Sequence, residues 1–145
     1  MSALSRDAIL PLIPHAGEMC LLDEVLDWNA DSINCRSRRY AAPANPLRRA
    51  DGTLGSATAI EIAAQAMALH ARLTALQGGT PTQGLLAALR DVHLAAPLLE
   101  ESGPLKITAT RLLGDVSGAS YRFEVANGTG ALVTGRATVL FGAAR

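Results

Sequence analysis

One stretch limits what this chain can fold into: Gly55 to Leu76, which reads GSATAIEIAAQAMALHARLTAL. From Ala59 onward nearly every position is small or apolar, the exceptions being Glu61, Gln65, His70, Arg72 and Thr74. No Gly or Pro follows Gly55, and Ala, Leu, Met, Glu and Gln lose little on entering a helix. The run predicts a helix of about five turns. Being apolar around most of its circumference, that helix must be buried on several sides. The rest of the chain therefore has to wrap it.

The rest reads mainly as strands. Ser5 to Leu12 predicts a short helix limited by Pro11 and Pro14. Met19 to Trp28 and Ser32 to Tyr40 predict two strands joined by a tight turn at Asn29-Ala30-Asp31. Ala41 to Leu54 holds Pro43, Pro46 and the pair Asp51-Gly52, and predicts a long loop of the kind that carries function. After the helix, Gln77-Gly78-Gly79-Thr80-Pro81 is a stop signal. Strands are then expected over Gly84 to His93, Leu105 to Leu113, Ser120 to Val125 and Ala131 to Phe141, with hairpin signals at Gly114 to Ala119 and Asn127-Gly128-Thr129-Gly130. Strand, strand, helix and four strands make an α+β protein in which a curved antiparallel sheet of about six strands wraps one helix.

The 145 residues fit one domain spanning 1–145. The formal charge is zero, with 13 basic and 13 acidic side chains, against the basic excess a nucleic-acid binder carries. The central run is interrupted by charged and polar groups and so is no membrane span. MSALSRDAIL lacks a signal-peptide pattern, so a cytoplasmic location is the expectation. Cys20 and Cys35 fall on the first two strands in a register that sets Cys20 beside Tyr40. That offset is about 16 Å, too far for a disulfide, so both are expected as free thiols. The three His (His15, His70, His93) are scattered with no acid or Cys cluster, so neither a metal site nor a cofactor is expected.

Two stretches carry a resemblance. Ile13-Pro14-His15-Ala16-Gly17-Glu18-Met19-Cys20-Leu21-Leu22-Asp23-Glu24-Val25 and Ala59-Ile60-Glu61-Ile62-Ala63-Ala64-Gln65 resemble motifs of the hot-dog β-hydroxyacyl-acyl carrier protein dehydratases. Asn45-Pro46-Leu47, running directly into the helix, is similar to a divergent branch associated with aryl polyene synthesis. The resemblance implies a hot-dog dimer of like or unlike subunits. It implies an active site beside the start of the central helix, and an acyl group carried on an acyl carrier protein as a phosphopantetheine thioester. It makes Glu61 the catalytic carboxylate. It also implies a His fourteen residues before that Glu, where this chain has Leu47.

Dehydration needs a base for the α proton, an acid for the leaving hydroxyl and a stabiliser for the enolate-like oxygen. Backbone N–H groups at Gly55 and Ser56, at the positive end of the helix, are the candidate stabilisers and substrate contacts. Glu61 is the candidate acid, with burial among Ile60, Ile62, Ala64 and Ala68 expected to raise its pKa. Its competing role is structural: Thr58-x-x-Glu61 fits a capping box. Gln65, one turn on, either fixes Glu61 or the substrate by hydrogen bonding or pairs with backbone. No His stands out as the base. His15 matches a family position that is not the catalytic one, so a structural or interface role is expected; His70 lies about 13 Å along the helix from Glu61, and His93 has no motif around it. Arg48 and Arg49, with Arg36, Arg38 and Arg39, form either a docking patch for an acidic carrier or a solvated face.

Three readings remain open: a dehydratase in which Glu61 works with an unidentified partner or a His supplied by another subunit, a thioesterase that uses Glu61 alone, and a non-catalytic subunit that completes a tunnel for a His-bearing partner.

Overall fold

The computed structural model describes residues 3–15, 17–77, 84–99, 103–115 and 117–141. Its central element is the helix α2, Ala57–Gln77, preceded by a four-residue helix α1, Arg6–Ile9. Among the described residues seven strands surround it: β1 Leu4–Ser5, β2 Glu24–Trp28, β3 Ser32–Ser37, β4 Gly84–Leu94, β5 Leu105–Gly114, β6 Gly118–Asn127 and β7 Gly130–Phe141. They form a single antiparallel sheet in the order β1-β2-β3-β5-β6-β7-β4. The predicted architecture holds, with one extra two-residue strand at the β2 edge.

Alternation builds the concave face. Ala119, Tyr121, Phe123 and Val125 of β6, and Val133, Ala137 and Val139 of β7, point inward and are buried. So are Leu105, Ile107 and Ala109 of β5. They meet Ala59, Ile62, Ala63, Ala66, Met67 and Leu69 of α2, all fully buried. The alanines let the sheet come close to the helix backbone. One narrow stripe of α2 stays partly open: Glu61, Ala64, Ala68 and Arg72, at three- and four-residue spacing.

Three boundaries differ from the sequence reading, each for a visible reason. Met19 to Trp28 is a strand only from Glu24, because Gly17–Met19 is a 3-10 turn, the Leu21 N–H and Met19 carbonyl bond to Gln65 of the helix, and the Leu21 carbonyl meets β3 only through the Ser37 hydroxyl. The strand from Ser32 ends at Ser37, where Asp23 accepts from the backbone N–H of both Arg38 and Arg39 and turns the chain into a 3-10 segment, Arg39–Ala41. The first helix stops at Ile9 and tightens into a 3-10 turn over Leu10–Leu12, with Pro11 inside it. The stop signal after Gln77, Gly78 to Pro81, lies outside the described residues. Cys20, which precedes β2, and Cys35 of β3 are both free and buried.

His70 anchors the interior. Its Nε2 lies 2.8 Å from the Asn29 carbonyl and so must donate there, which leaves Nδ1 to accept from the Tyr121 hydroxyl at 2.7 Å. Burial pushes its pKa down. It ties α2 to the β2–β3 turn and takes no part in the site below.

Candidate functional site

The chain before the sheet is laid against α2 by two side chains. Gln65, fully buried, accepts from the Leu21 N–H at 2.9 Å and donates to the Met19 carbonyl at 2.7 Å. It therefore acts on residues 19–21 as a neighbouring strand would. Arg6 binds the same segment from the other side, donating to the carbonyls of Cys20, Leu22 and Gly17 at 2.6, 3.1 and 2.9 Å. With Ile9 and Ile13 packed into the core, residues 13–15 end beside the first turns of α2. There His15 Nε2 lies 2.9 Å from Glu61 Oε1.

Sequence reasoning set His15 aside, and this contact is what it missed. A signal was present: His15 and Gln65 belong to the two stretches of the resemblance, and the Gln65 amide is what joins those stretches.

Glu61 corrects two expectations. Its side chain meets His15, and Gln65 Nε2 at 3.3 Å, instead of closing a capping box; α2 begins at Ala57, so Thr58 is already inside the helix. The His15 hydrogen bond, aided by that of Gln65 and by the His15 charge, holds the carboxyl below the usual carboxylate range against the opposing effect of burial. Glu61 is thus ionised at neutral pH, which suits a base or an ion-pair partner and not the proton donor expected from burial alone.

Beside this pair is an open cleft of about 360 Å³ lined by His15, Met19, Leu47, Arg49, Gly55, Ala57, Thr58 and Glu61. The loop before α2 supplies its far wall. Asn45 is buried and binds the Tyr40 carbonyl, while its Oδ1 accepts from the Leu47 N–H at 3.0 Å. This turn sets Leu47 into the cleft at the position where the resemblance leads one to look for histidine.

The remaining predicted site residues separate. Gly55 lines the cleft. Ser56 does not: its hydroxyl donates to the Ala96 carbonyl and its N–H to the Pro97 carbonyl at 3.0 Å, tying the start of α2 to the chain after β4. Gln65 is engaged throughout by the protein, so it positions residues 19–21 and Glu61 and has no free group for a substrate. Arg48 is not a free docking cation, since its guanidinium donates to the carbonyls of Ala41, Ala42 and Gly52 at 2.6, 3.1 and 2.8 Å and braces the loop. Arg49 faces the cleft. His93 is exposed on β4, far along the chain from the pair. Among the described residues no group of His, Cys, Asp and Glu is arranged to hold a metal, and no helix is long and apolar enough to cross a membrane.

Residues 8–143 match the ApeP-like family model, described as ApeP dehydratase. This chain belongs to the ApeP dehydratase family. The hot-dog fold of the ApeP family is evident in solved structures as well. The dehydratase heterocomplex ApeI:P of Xenorhabdus doucetiae superposes with a TM-score of 0.83 at 24% identity, over 93% of this chain and 91% of that one. A thioesterase of Haemophilus influenzae gives 0.67 at 12% identity, over 96% and 91%. A mutant thioesterase of Pseudomonas aeruginosa gives 0.63 at 10%, over 86% and 84%. No curated protein sequence matches the chain.

Proposed function

We propose that this chain is a dehydratase subunit acting on β-hydroxyacyl thioesters presented by an acyl carrier protein, and that it works in the cytoplasm as one domain paired with a related hot-dog subunit. The contact between His15 and Glu61 at the edge of the cleft carries the reading. Membership of the ApeP family and the likeness to a subunit of a dehydratase heterocomplex support it.

The two groups suit the reaction when His15 holds a proton on each ring nitrogen. The ionised Glu61 takes the proton from the α carbon. The electron pair of that C–H bond is delocalised onto the thioester carbonyl oxygen and then becomes the second bond between the α and β carbons as the β C–O bond breaks. The departing oxygen keeps the C–O pair and takes the Nε2 proton of His15, leaving as water. Glu61 is then protonated and His15 neutral, and transfer of one proton across their hydrogen bond restores the starting pair.

The test is mass spectrometry of a β-hydroxyacyl carrier protein incubated with the chain alone and with a co-purified related subunit. Loss of one water, abolished by Glu61→Gln and strongly reduced by His15→Ala, is the expected result. Hydrolysis of the thioester instead would establish the thioesterase reading. Leu47 in the cleft wall favours a second reading, a non-catalytic subunit. In that case the complex dehydrates and Glu61→Gln in this chain leaves its rate unchanged.

A further inference from the structure

Resting on the dehydratase reading of the cleft, we infer that Arg49 binds the carbonyl oxygen of the thioester and takes up the negative charge that develops there as the α proton leaves.

The sequence offers the start of α2 for this task, but most of its amides are engaged. Ser56 N–H donates to the Pro97 carbonyl at 3.0 Å, Thr58 N–H to Gly55 at 2.9 Å and Ala59 N–H to Ser56 at 3.0 Å. Among the described residues, only the N–H groups of Gly55 and Ala57 are left without a backbone acceptor there. The cleft holds one further strong donor, the guanidinium of Arg49.

Its placement follows from a missing side chain. A Cβ on residue 55 would lie 2.7 Å from Arg49 Nη2 and 3.3 Å from its Cζ, so the guanidinium lies across Gly55 only because that residue is glycine. The backbone beneath is fixed by a turn, with Arg49 N–H donating to Thr53 at 2.8 Å and Gly52 N–H to Arg49 at 2.9 Å.

Arg49 and Glu61 line one cleft with opposite charges, yet they form no ion pair. Among the described residues no carboxylate comes within 4.0 Å of the Arg49 guanidinium. The space between base and cation admits a thioester whose α carbon faces Glu61 and whose carbonyl oxygen faces Arg49. Leu47 and Met19 supply apolar lining beside the exposed Arg49, so the charge–dipole contact strengthens as the bound acyl group displaces water from the cleft. Arg48, the adjacent residue, commits its guanidinium to the carbonyls of Ala41, Ala42 and Gly52 and braces the loop instead.

Charge moves from the α C–H bond onto the oxygen beside Arg49, then returns to form the double bond as the β C–O bond breaks and His15 protonates the leaving hydroxyl. Arg49 itself exchanges no proton.

The experiment uses the active complex and one β-hydroxyacyl group presented in two ways, on the carrier protein and as the N-acetylcysteamine thioester. Arg49→Ala should lower kcat by about 10²–10³-fold on both substrates. Arg49→Lys should fall between, and Gly55→Ala should have no further effect in the Arg49→Ala background. A loss confined to KM on the carrier-borne substrate, with the small thioester unaffected, means that Arg49 docks the carrier, and it overturns the assignment. If the wild-type complex dehydrates neither substrate, the dehydratase reading fails by itself. The assignment is then judged by the affinity for an unreactive saturated acyl-pantetheine amide: a tenfold or greater loss in Arg49→Ala upholds it and an unchanged affinity overturns it.

Discussion

Replacing Gln65 by Leu tests whether one amide joins the two halves of the site. The change keeps side-chain volume nearly constant and so opens little cavity. What it removes is the acceptor for the Leu21 N–H and the donor to the Met19 carbonyl, at 2.9 and 2.7 Å. Gln65 and Leu21 are buried, so water cannot easily replace it. A buried polar group left without a partner costs about 1–3 kcal/mol. The Leu21 N–H is such a group, whereas the Met19 carbonyl is only part-buried beside the open cleft, so the loss is about 1–3 kcal/mol, still a large part of the total stability of a domain this size. With a urea m-value of about 1–3 kcal/mol/M, a loss of 3 kcal/mol moves the unfolding midpoint down by about 1–3 M at fixed protein concentration. Gln65→Glu separates the two bonds. At neutral pH its carboxylate still accepts from Leu21, but it cannot donate to Met19 and stands beside the ionised Glu61. Its stability should therefore recover as the pH is lowered and one of the two carboxylates takes a proton. If Gln65→Leu unfolds at the wild-type midpoint, residues 19–21 are not held by this side chain, and the account of how His15 reaches Glu61 fails.

Other outcomes follow from the same contacts. In a carboxyl ¹³C NMR titration, Glu61 should titrate below the usual carboxylate range and move upward in His15→Ala, since the largest cause of its lowered pKa is gone; an unmoved Glu61 signal would show that the pair does not form. Because its folded pKa is depressed, Glu61 adds stability that is present above its unfolded pKa, about 4.3, and is lost as pH falls through the folded value. His70, with its pKa pushed down by burial, behaves in the same sense one step higher. Stability should be steady above about pH 6.5 and fall below it by up to about 1.4 kcal/mol per pH unit, a slope that His70→Asn should abolish. Cys35, whose thiol burial raises to about 12, should resist iodoacetamide at pH 8 in the native protein and react on unfolding. Arg48→Ala, removing three contacts to loop carbonyls, should speed amide exchange across residues 41–54 while leaving β5 to β7 protected.

The parts of the fold that the sequence disclosed are those governed by local periodicity. The α2 run is apolar over too wide an arc to sit on a surface, and β5, β6 and β7 alternate cleanly because one face meets α2 and the other meets solvent. Strand order was less accessible. β4 pairs with β7 at the far edge, a choice made by the whole sheet and absent from any one segment. The site divides along the same line. Glu61 was legible because it interrupts an apolar helix. His15 was not, because its partner is 46 residues away and the link is made by Gln65, a residue that pattern alone treats equally as substrate ligand, support for Glu61 or backbone partner. Ser56 and Arg48 are engaged by the protein itself for the converse reason: a polar side chain beside a site is first claimed by any unpaired backbone group within reach, here the carbonyls of Ala96, Ala41, Ala42 and Gly52. The direction of the Glu61 pKa follows from the same competition. Burial alone raises a carboxyl, but a donor at 2.9 Å outweighs it, so the residue changes from presumed acid to presumed base on one contact that no helix-face argument contains. The protonation of Glu61 is thus set by the loop carrying His15 as much as by the helix carrying Glu61, and exchanging that loop should shift the Glu61 titration upward while leaving α2 intact.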